Sequence, residues 1–311
     1  MRFSTYLFII AVVGLVLLVG TEILYLEISE FHAEHEIWSK LKKKYAFLST
    51  FVEIRSRDLK LDISGGVGKR GSLHFAGFLE PDRRKSGLPK LAIIIDDLGY
   101  DAHLASKFIS LPYKVNLAVL PFLRWSNFVS EKGYRGGKEI ILHLPMQAYK
   151  HVVNRDVVSL GMDMEEIRDL INRALSSVDY AVGVNNHMGS LATTDPVLMR
   201  KVMSVLKEKG LFFVDSYTTP DSVAYHIALD VGLPCFYNSL FIDRYSGENR
   251  VEEYILKLVS LARRRTMTIG IGHAKSETFN ALNKLLPVIS KYVEVVFASE
   301  IVYHRGEVVK K

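Results

Sequence analysis

Asp97, His143 and His187 each stand at or near the end of a short apolar run. Together they make a set of two imidazoles and one carboxylate. Three protein ligands leave a metal with open positions, the pattern of catalytic rather than structural sites. A metal held there acidifies water and polarises a carbonyl oxygen. Asp96 adjoins Asp97, so one carboxylate is available to bind metal while the other serves as a base. On a regular strand the two point to opposite faces; where the strand ends the chain turns, and both can reach one site. The competing reading of Asp96-Asp97 is a helix N-cap after the strand. His273, between Gly272 and Ala274, has little bulk beside it and suits an exposed acid; a loop histidine bonded to backbone is the alternative. Asp215 is expected to orient His273 or to bind a substrate hydroxyl. Asn185, Asn186 and Ser216 are expected to shape the site and contact substrate.

These residues need a scaffold that brings distant strand ends together. From Pro89 onward, apolar runs alternate with helical stretches. The runs are 91–95, 115–120, 139–144, 181–184, 211–214, 235–241, 266–271 and 293–298. Among the helical stretches are 164–178 and 196–209, the second opened by Asp195-Pro196, an N-cap followed by proline at the first helical position. Continuous apolar strands separated by helices specify a parallel sheet buried on both faces. Seven or eight such units in residues 89–305 predict an α/β fold, a (β/α) barrel that is TIM-like and incomplete. An open doubly wound sheet is the runner-up, and no GxGxxG follows the first run to support it. In a parallel barrel all carboxyl ends share one face, which is where active sites form. Asp96-Asp97, His143, Asn185-Asn186-His187, Asp215, Asp243 and His273 then converge on it.

The rest of the 311-residue chain is appended to this domain. Tyr6–Gly20 is an unbroken apolar run that resumes at Ile23–Leu26. Residues 1–26 therefore read as a membrane anchor, with a cleaved signal peptide as the alternative. Arg2 precedes the run and Glu22, Glu27, Glu30, Glu34 and Glu36 follow it. This charge order predicts a single-pass inner-membrane protein whose large domain lies outside the cytoplasm, in the periplasm. Residues 27–60 carry a heptad-like stripe (Phe31, Trp38, Tyr45, Val52) and read as a helical stalk, or as a helix packed on its own domain. Residues 61–88 form a small β or linker region; its Gly-rich stretch lacks the GK[ST] of a phosphate loop. A net charge of +6 suits an anionic envelope surface and is too dispersed for nucleic acid. The single cysteine, Cys235, excludes internal disulfides and Cys-rich zinc sites, so a metal must be held by His and Asp or Glu. Arg263-Arg264-Arg265 closes a helix and complements its dipole.

The strings LAIIIDDLG, LAVLP, ILHLPMQ, VGVNNHMGS, LFFVDSYTT and IGIGHA, in this order between Lys90 and Ile301, resemble the divergent polysaccharide deacetylase family. The resemblance implies a glycoside hydrolase/deacetylase barrel. It implies Asp96 as general base, Asp97 and His187 as metal ligands and His273 as the late general acid. Better-known deacetylases place two metal histidines in one H-[ST]-x-x-x-H segment; this chain has none, and its His143 and His187 come from separate strands. The implied function is metal-dependent deacetylation of an acetylated envelope polysaccharide, peptidoglycan or exopolysaccharide, with a divalent metal, zinc first, as cofactor. Tyr100, Phe122, Trp125 and Tyr217 are candidates to stack on sugar faces. The alternatives are a non-catalytic glycan- or partner-binding envelope protein on the same barrel, and another metal hydrolase such as an amidase or phosphoesterase.

Overall fold

Leu91 to Ile95 is an unbroken run of aliphatic side chains, and all five are fully buried. That is possible only when both faces of a strand are covered. In the computed structural model, which describes residues 87–150 and 155–303, this run is strand β1 (Lys90–Leu98) at the heart of a parallel sheet. The anchor and stalk readings, and all but the last residues of the linker reading, lie outside the described residues. Among the described residues no helix is long and apolar enough to cross a membrane.

The chain then runs α1 (Ala102–Ile109), β2 (Asn116–Val119), α2 (Ser126–Arg135), β3 (Glu139–Met146), α3 (Met164–Leu175), β4 (Ala181–Met188), α4 (Pro196–Glu208) and β5 (Phe212–Asp215). It continues through α5 (Ala224–Val231), β6 (Cys235–Tyr237), β7 (Leu240–Phe241), α6 (Glu248–Arg265), β8 (Met267–His273), α7 (Ser276–Ile289) and β9 (Glu294–Val296). Neighbouring strands pair in the order β6-β5-β4-β3-β2-β1-β8-β7, all parallel. Among the described residues eight strands curl into a half-barrel with no pairing between β6 and β7, and a ninth, β9, joins the sheet at β1. Two expectations change here. The run 235–241 is two short strands, because Asn238 N–H bonds Asp215 on one side and Ser239 N–H bonds Ile269 on the other, carrying the chain across the seam. The run 293–298 yields only β9, which pairs with Lys90–Ala92 beside β2 instead of taking its own place in the curl.

Alternation along the strands sorts the side chains into two layers. Leu91, Ile93 and Ile95 pack outward with helix residues such as Phe108, Leu170, Met203, Leu258 and Leu286. Ala92 and Ile94 point inward with Ile141, Phe212, Val214, Phe236, Ile269 and Ile271. Burial of each of the larger of these side chains, Leu, Ile, Val, Phe or Met, contributes roughly 1.5–3 kcal/mol. The inner layer depends on Gly183 in β4, where an added Cβ would stand 2.3 Å from the Phe212 ring. Local signals set the helices. Asp101 caps α1, Asp163 and Glu166 form a capping box on α3, and Asp195 caps α4 with Pro196 at its first turn. Arg263, Arg264 and Arg265 fall in the last turn of α6.

Candidate metal and catalytic centre

The inward rows of β1, β3 and β4 turn polar at their carboxyl ends. Ala92 and Ile94 are followed by Asp96, and Ile141 by His143. Strand pairing aligns His143 with Asn185, Pro145 with His187, and Asp96 with His273 on β8. The adjacent aspartates both reach the site because β1 bulges. Between Ile95 and Leu98 it advances three residues while β2 advances two, and Asp97 sits at φ 60°. A bulge with a left-handed residue places successive side chains on one side. Non-glycine residues in this conformation cost of order 1–3 kcal/mol and gather at functional sites. Phe122 and Tyr217 in loops, and Met188 at the end of β4, share it at the same end of the sheet.

Asp97 Oδ1 lies 3.2 Å from His143 Nε2 and 3.0 Å from His187 Nδ1, and the two ring nitrogens are 3.2 Å apart. With metal–ligand bonds of about 2.0–2.1 Å, a tetrahedral ion separates its ligands by about 3.3–3.4 Å and an octahedral ion by about 2.9 Å. The observed triangle falls between these values. Among the described residues no well-aligned donor reaches the buried Asp97 Oδ1. A buried carboxylate oxygen without a donor, facing two imidazole nitrogens, fits a divalent cation. His143 is sealed in, whereas the Asp97 and His187 side chains are 32% and 22% exposed, so the triangle opens toward solvent.

Asp96 lies behind Asp97, 2% exposed. Its Oδ1 accepts from Asn185 Nδ2 at 2.9 Å, and its Oδ2 is 3.6 Å from His143 Nε2. Burial pushes the Asp96 carboxyl above its usual range, against the opposing pull of His143 and Asn185. Burial acts upward on Asp97 too, but the His143 and His187 contacts outweigh it and hold that carboxyl well below its range. Burial pulls the His143 imidazolium down, and Asp96 and Asp97 overcome it, leaving His143 raised.

His273 borders the same depression as Asp97. Its Nδ1 is 2.8 Å from Asp243 Oδ1, and its ring stacks on Phe241. Asp243 Oδ2 accepts the His273 backbone N–H at 2.8 Å and the Thr278 hydroxyl at 3.0 Å. Burial opposes the His273 imidazolium, but Asp243 outweighs it and raises the pKa. Asp243 is lowered in turn, its burial outweighed by His273.

The structure thus brings Asp96, Asp97, His143, His187 and His273 together, with Asn185 among them. It sets Asp215 apart. The side chain follows Phe213 on the outward, helix-facing side of β5 and accepts from the Ser222 hydroxyl and the Tyr217 and Tyr225 N–H groups. Burial raises its pKa against those bonds. The carboxylate that orients His273 is Asp243, which the sequence marks only as a strand-end residue. Asn185, Asn186 and Ser216 are buried and bonded within the protein instead of facing substrate. Asn186 accepts the Ser216 N–H and donates to the Met188 carbonyl, clipping β4 to β5. Among the aromatics, Tyr100 lines the depression beside Asp97 and His273. Tyr100 also lines a second, with Phe122, beside His187. Trp125 packs on Phe128 and under Arg124, and Tyr217 against Tyr237. Tyr149, 64% exposed in the next depression along, had no signal in its sequence neighbourhood.

Residues 93–302 match the family model described as divergent polysaccharide deacetylase. The chain is 33% identical over 213 residues to the uncharacterized protein YibQ of Escherichia coli, covering 68% of this chain and 67% of that one. It is 34% identical over 208 residues to an uncharacterized protein of Haemophilus influenzae, covering 67% and 74%. The crystal structure of the uncharacterized protein ATU2773 from Agrobacterium tumefaciens has the same fold, with a TM-score of 0.66 at 21% identity over 73% of this chain and 94% of that one. The matched span takes in every residue of the centre, and the chain belongs to the divergent polysaccharide deacetylase family.

Proposed function

We propose that this protein is a metal-dependent hydrolase that removes acetyl groups from an envelope polysaccharide, peptidoglycan or an exopolysaccharide. The observation that carries the reading is the open Asp97–His143–His187 triangle with a buried, high-pKa carboxylate on one side and a carboxylate-paired histidine on the other. A divalent ion bound by these three residues, zinc first among the candidates, supplies Lewis acidity toward water and the acetyl carbonyl oxygen. Asp96 takes the proton of the water as its oxygen adds to the carbonyl carbon; burial raises its pKa and so strengthens it as a proton acceptor. His273, with Nδ1 engaged by Asp243, presents Nε2 to protonate the leaving amine or alkoxide as the C–N or C–O bond breaks. The products are acetate and the free amine or hydroxyl. Tyr100, Phe122 and Tyr149 along the depressions offer faces for sugar rings. The apolar run at Tyr6–Gly20 and the charges flanking it support a membrane-anchored protein with this domain in the periplasm.

Full-length protein incubated with zinc and acetylated peptidoglycan or exopolysaccharide is expected to release acetate. A chelator or Asp97→Ala is expected to abolish release. Release that survives both would refute the metal-dependent reading. Glycan binding without any release would point to the binding-protein alternative.

A further inference from the structure

Asn185 is fully buried between the base and a metal ligand and touches three groups. Its Nδ2 is 2.9 Å from Asp96 Oδ1 and 3.1 Å from Ser216 Oγ, and its Oδ1 is 2.9 Å from His143 Nδ1. The directions of these bonds are fixed by chemistry. The Ser216 hydroxyl has one proton and gives it to the Asn186 carbonyl at 2.7 Å, so toward Asn185 it can only accept. Asp96, as a carboxylate, also only accepts. Both of these neighbours require the NH2 end of the amide, which leaves its carbonyl facing His143. His143 Nδ1 must then carry the proton, and Nε2 must present its lone pair to Asp97 Oδ1 and His187 Nδ1. The opposite tautomer would turn the Asn185 amide and set its oxygen against Asp96 and the Ser216 lone pairs.

We propose that Asn185 is a positioning residue: with Asp96 and Ser216 it forces neutral His143 into the Nδ1–H tautomer, preparing Nε2 as a metal ligand. The inference rests on the metal-site reading above, but the tautomer itself is a property of the metal-free protein. Groups bonded to the far nitrogen of a ligating histidine fix its tautomer and orientation, and their loss costs roughly 10- to 100-fold in metal affinity. The same amide holds Asp96, so one side chain couples the geometry of the base to that of the ligand.

The test uses full-length protein with 15N-labelled histidine, stripped of metal, at a pH alkaline enough to keep imidazole neutral. Long-range 1H–15N correlations, assigned by loss of the signal in His143→Gln, are expected to show His143 as the Nδ1–H form. Finding the Nε2–H form in the wild type would overturn the proposal without any variant. Zinc affinity, measured by competition with a chromophoric chelator, is then expected to fall roughly 10- to 100-fold in Asn185→Leu. Equal zinc affinity in wild type and Asn185→Leu would overturn the proposal while leaving the metal site standing. A wild type that binds no zinc would defeat the metal reading, and the tautomer would still decide this one.

Discussion

Asp243→Asn changes one atom type at the far side of the site and carries a calculable consequence. Asp243 accepts three hydrogen bonds, two on Oδ2 from the His273 N–H and the Thr278 hydroxyl, and one on Oδ1 from His273 Nδ1. An amide has a single acceptor oxygen. Kept at the Oδ2 position, it satisfies two donors and turns its NH2 toward His273 Nδ1. That favours Nδ1 as an acceptor and removes the partner of the imidazolium. A hydrogen bond to a charged group is worth about 1.5–3 kcal/mol, and 1.36 kcal/mol corresponds to one decade or one pKa unit. Because the His273 side chain is 33% exposed, the lower half of that range applies. The expected loss in kcat/KM is roughly 10- to 45-fold. Asp243 raises the His273 pKa, so its neutralisation lowers it, and the alkaline limb of the pH–rate profile moves to lower pH. The assays are acetate release against pH and an NMR titration of the His273 ring. Turnover within a few-fold of wild type together with an unmoved alkaline limb and an unmoved ring titration would refute the role assigned to Asp243.

Asp96→Asn is expected to lower turnover by about 10²–10⁴-fold while zinc content stays near wild type, since the base is lost and the ligands remain; elemental analysis beside the rate assay separates the two. The Asp243–His273 pair also predicts a stability profile for the metal-free protein. His273 is raised and Asp243 lowered in the folded state, so the pair's contribution is present between about pH 3.9 and 6.5, is lost as pH rises through the raised His273 value, and is lost on the acid side as pH falls through the lowered Asp243 value. Thermal melts of wild type and His273→Gln across pH check this, and parallel curves would contradict it. Tyr100→Ala and Tyr149→Ala are expected to raise KM on polymeric substrate several-fold with kcat little changed, as for lost uniform binding; an effect confined to kcat would argue against stacking. Gly183→Ala drives a methyl to 2.3 Å from the Phe212 ring and is expected to destabilise the fold by about 1–3 kcal/mol, read as a lower denaturation midpoint.

Much of this centre was legible because parallel strands deliver their carboxyl ends to one face. Asp96, Asp97, His143, His187 and His273 were readable from where four apolar runs turn polar. The aspartates sharing one side required a turn at the strand end, and the bulge at Asp97 supplies it. Asp215 was misdirected by parity. In β5 both faces are apolar, so alternation cannot be read from Phe212-Phe213-Val214, and the structure shows that Asp215 belongs with the outward Phe213. Asp243 was hard to weigh because β7 has only two residues and its partner lies 30 positions away. Asn185 and Asn186 look alike in sequence. One residue of strand phase separates a side chain between base and ligand from a clip on β5. The split at Asn238-Ser239 was hidden because 235–241 reads as one run, and the break depends on bonds to two distant strands.

The most direct test of the central claim is the metal content of full-length protein, by elemental analysis after exposure to zinc, with Asp97→Ala and His187→Ala in parallel. About one equivalent of tightly held metal in the wild type, lost in both variants with the fold intact, is the predicted result. A folded wild type that remains empty, or variants that retain the metal, would contradict the assignment of Asp97, His143 and His187 as the ligands.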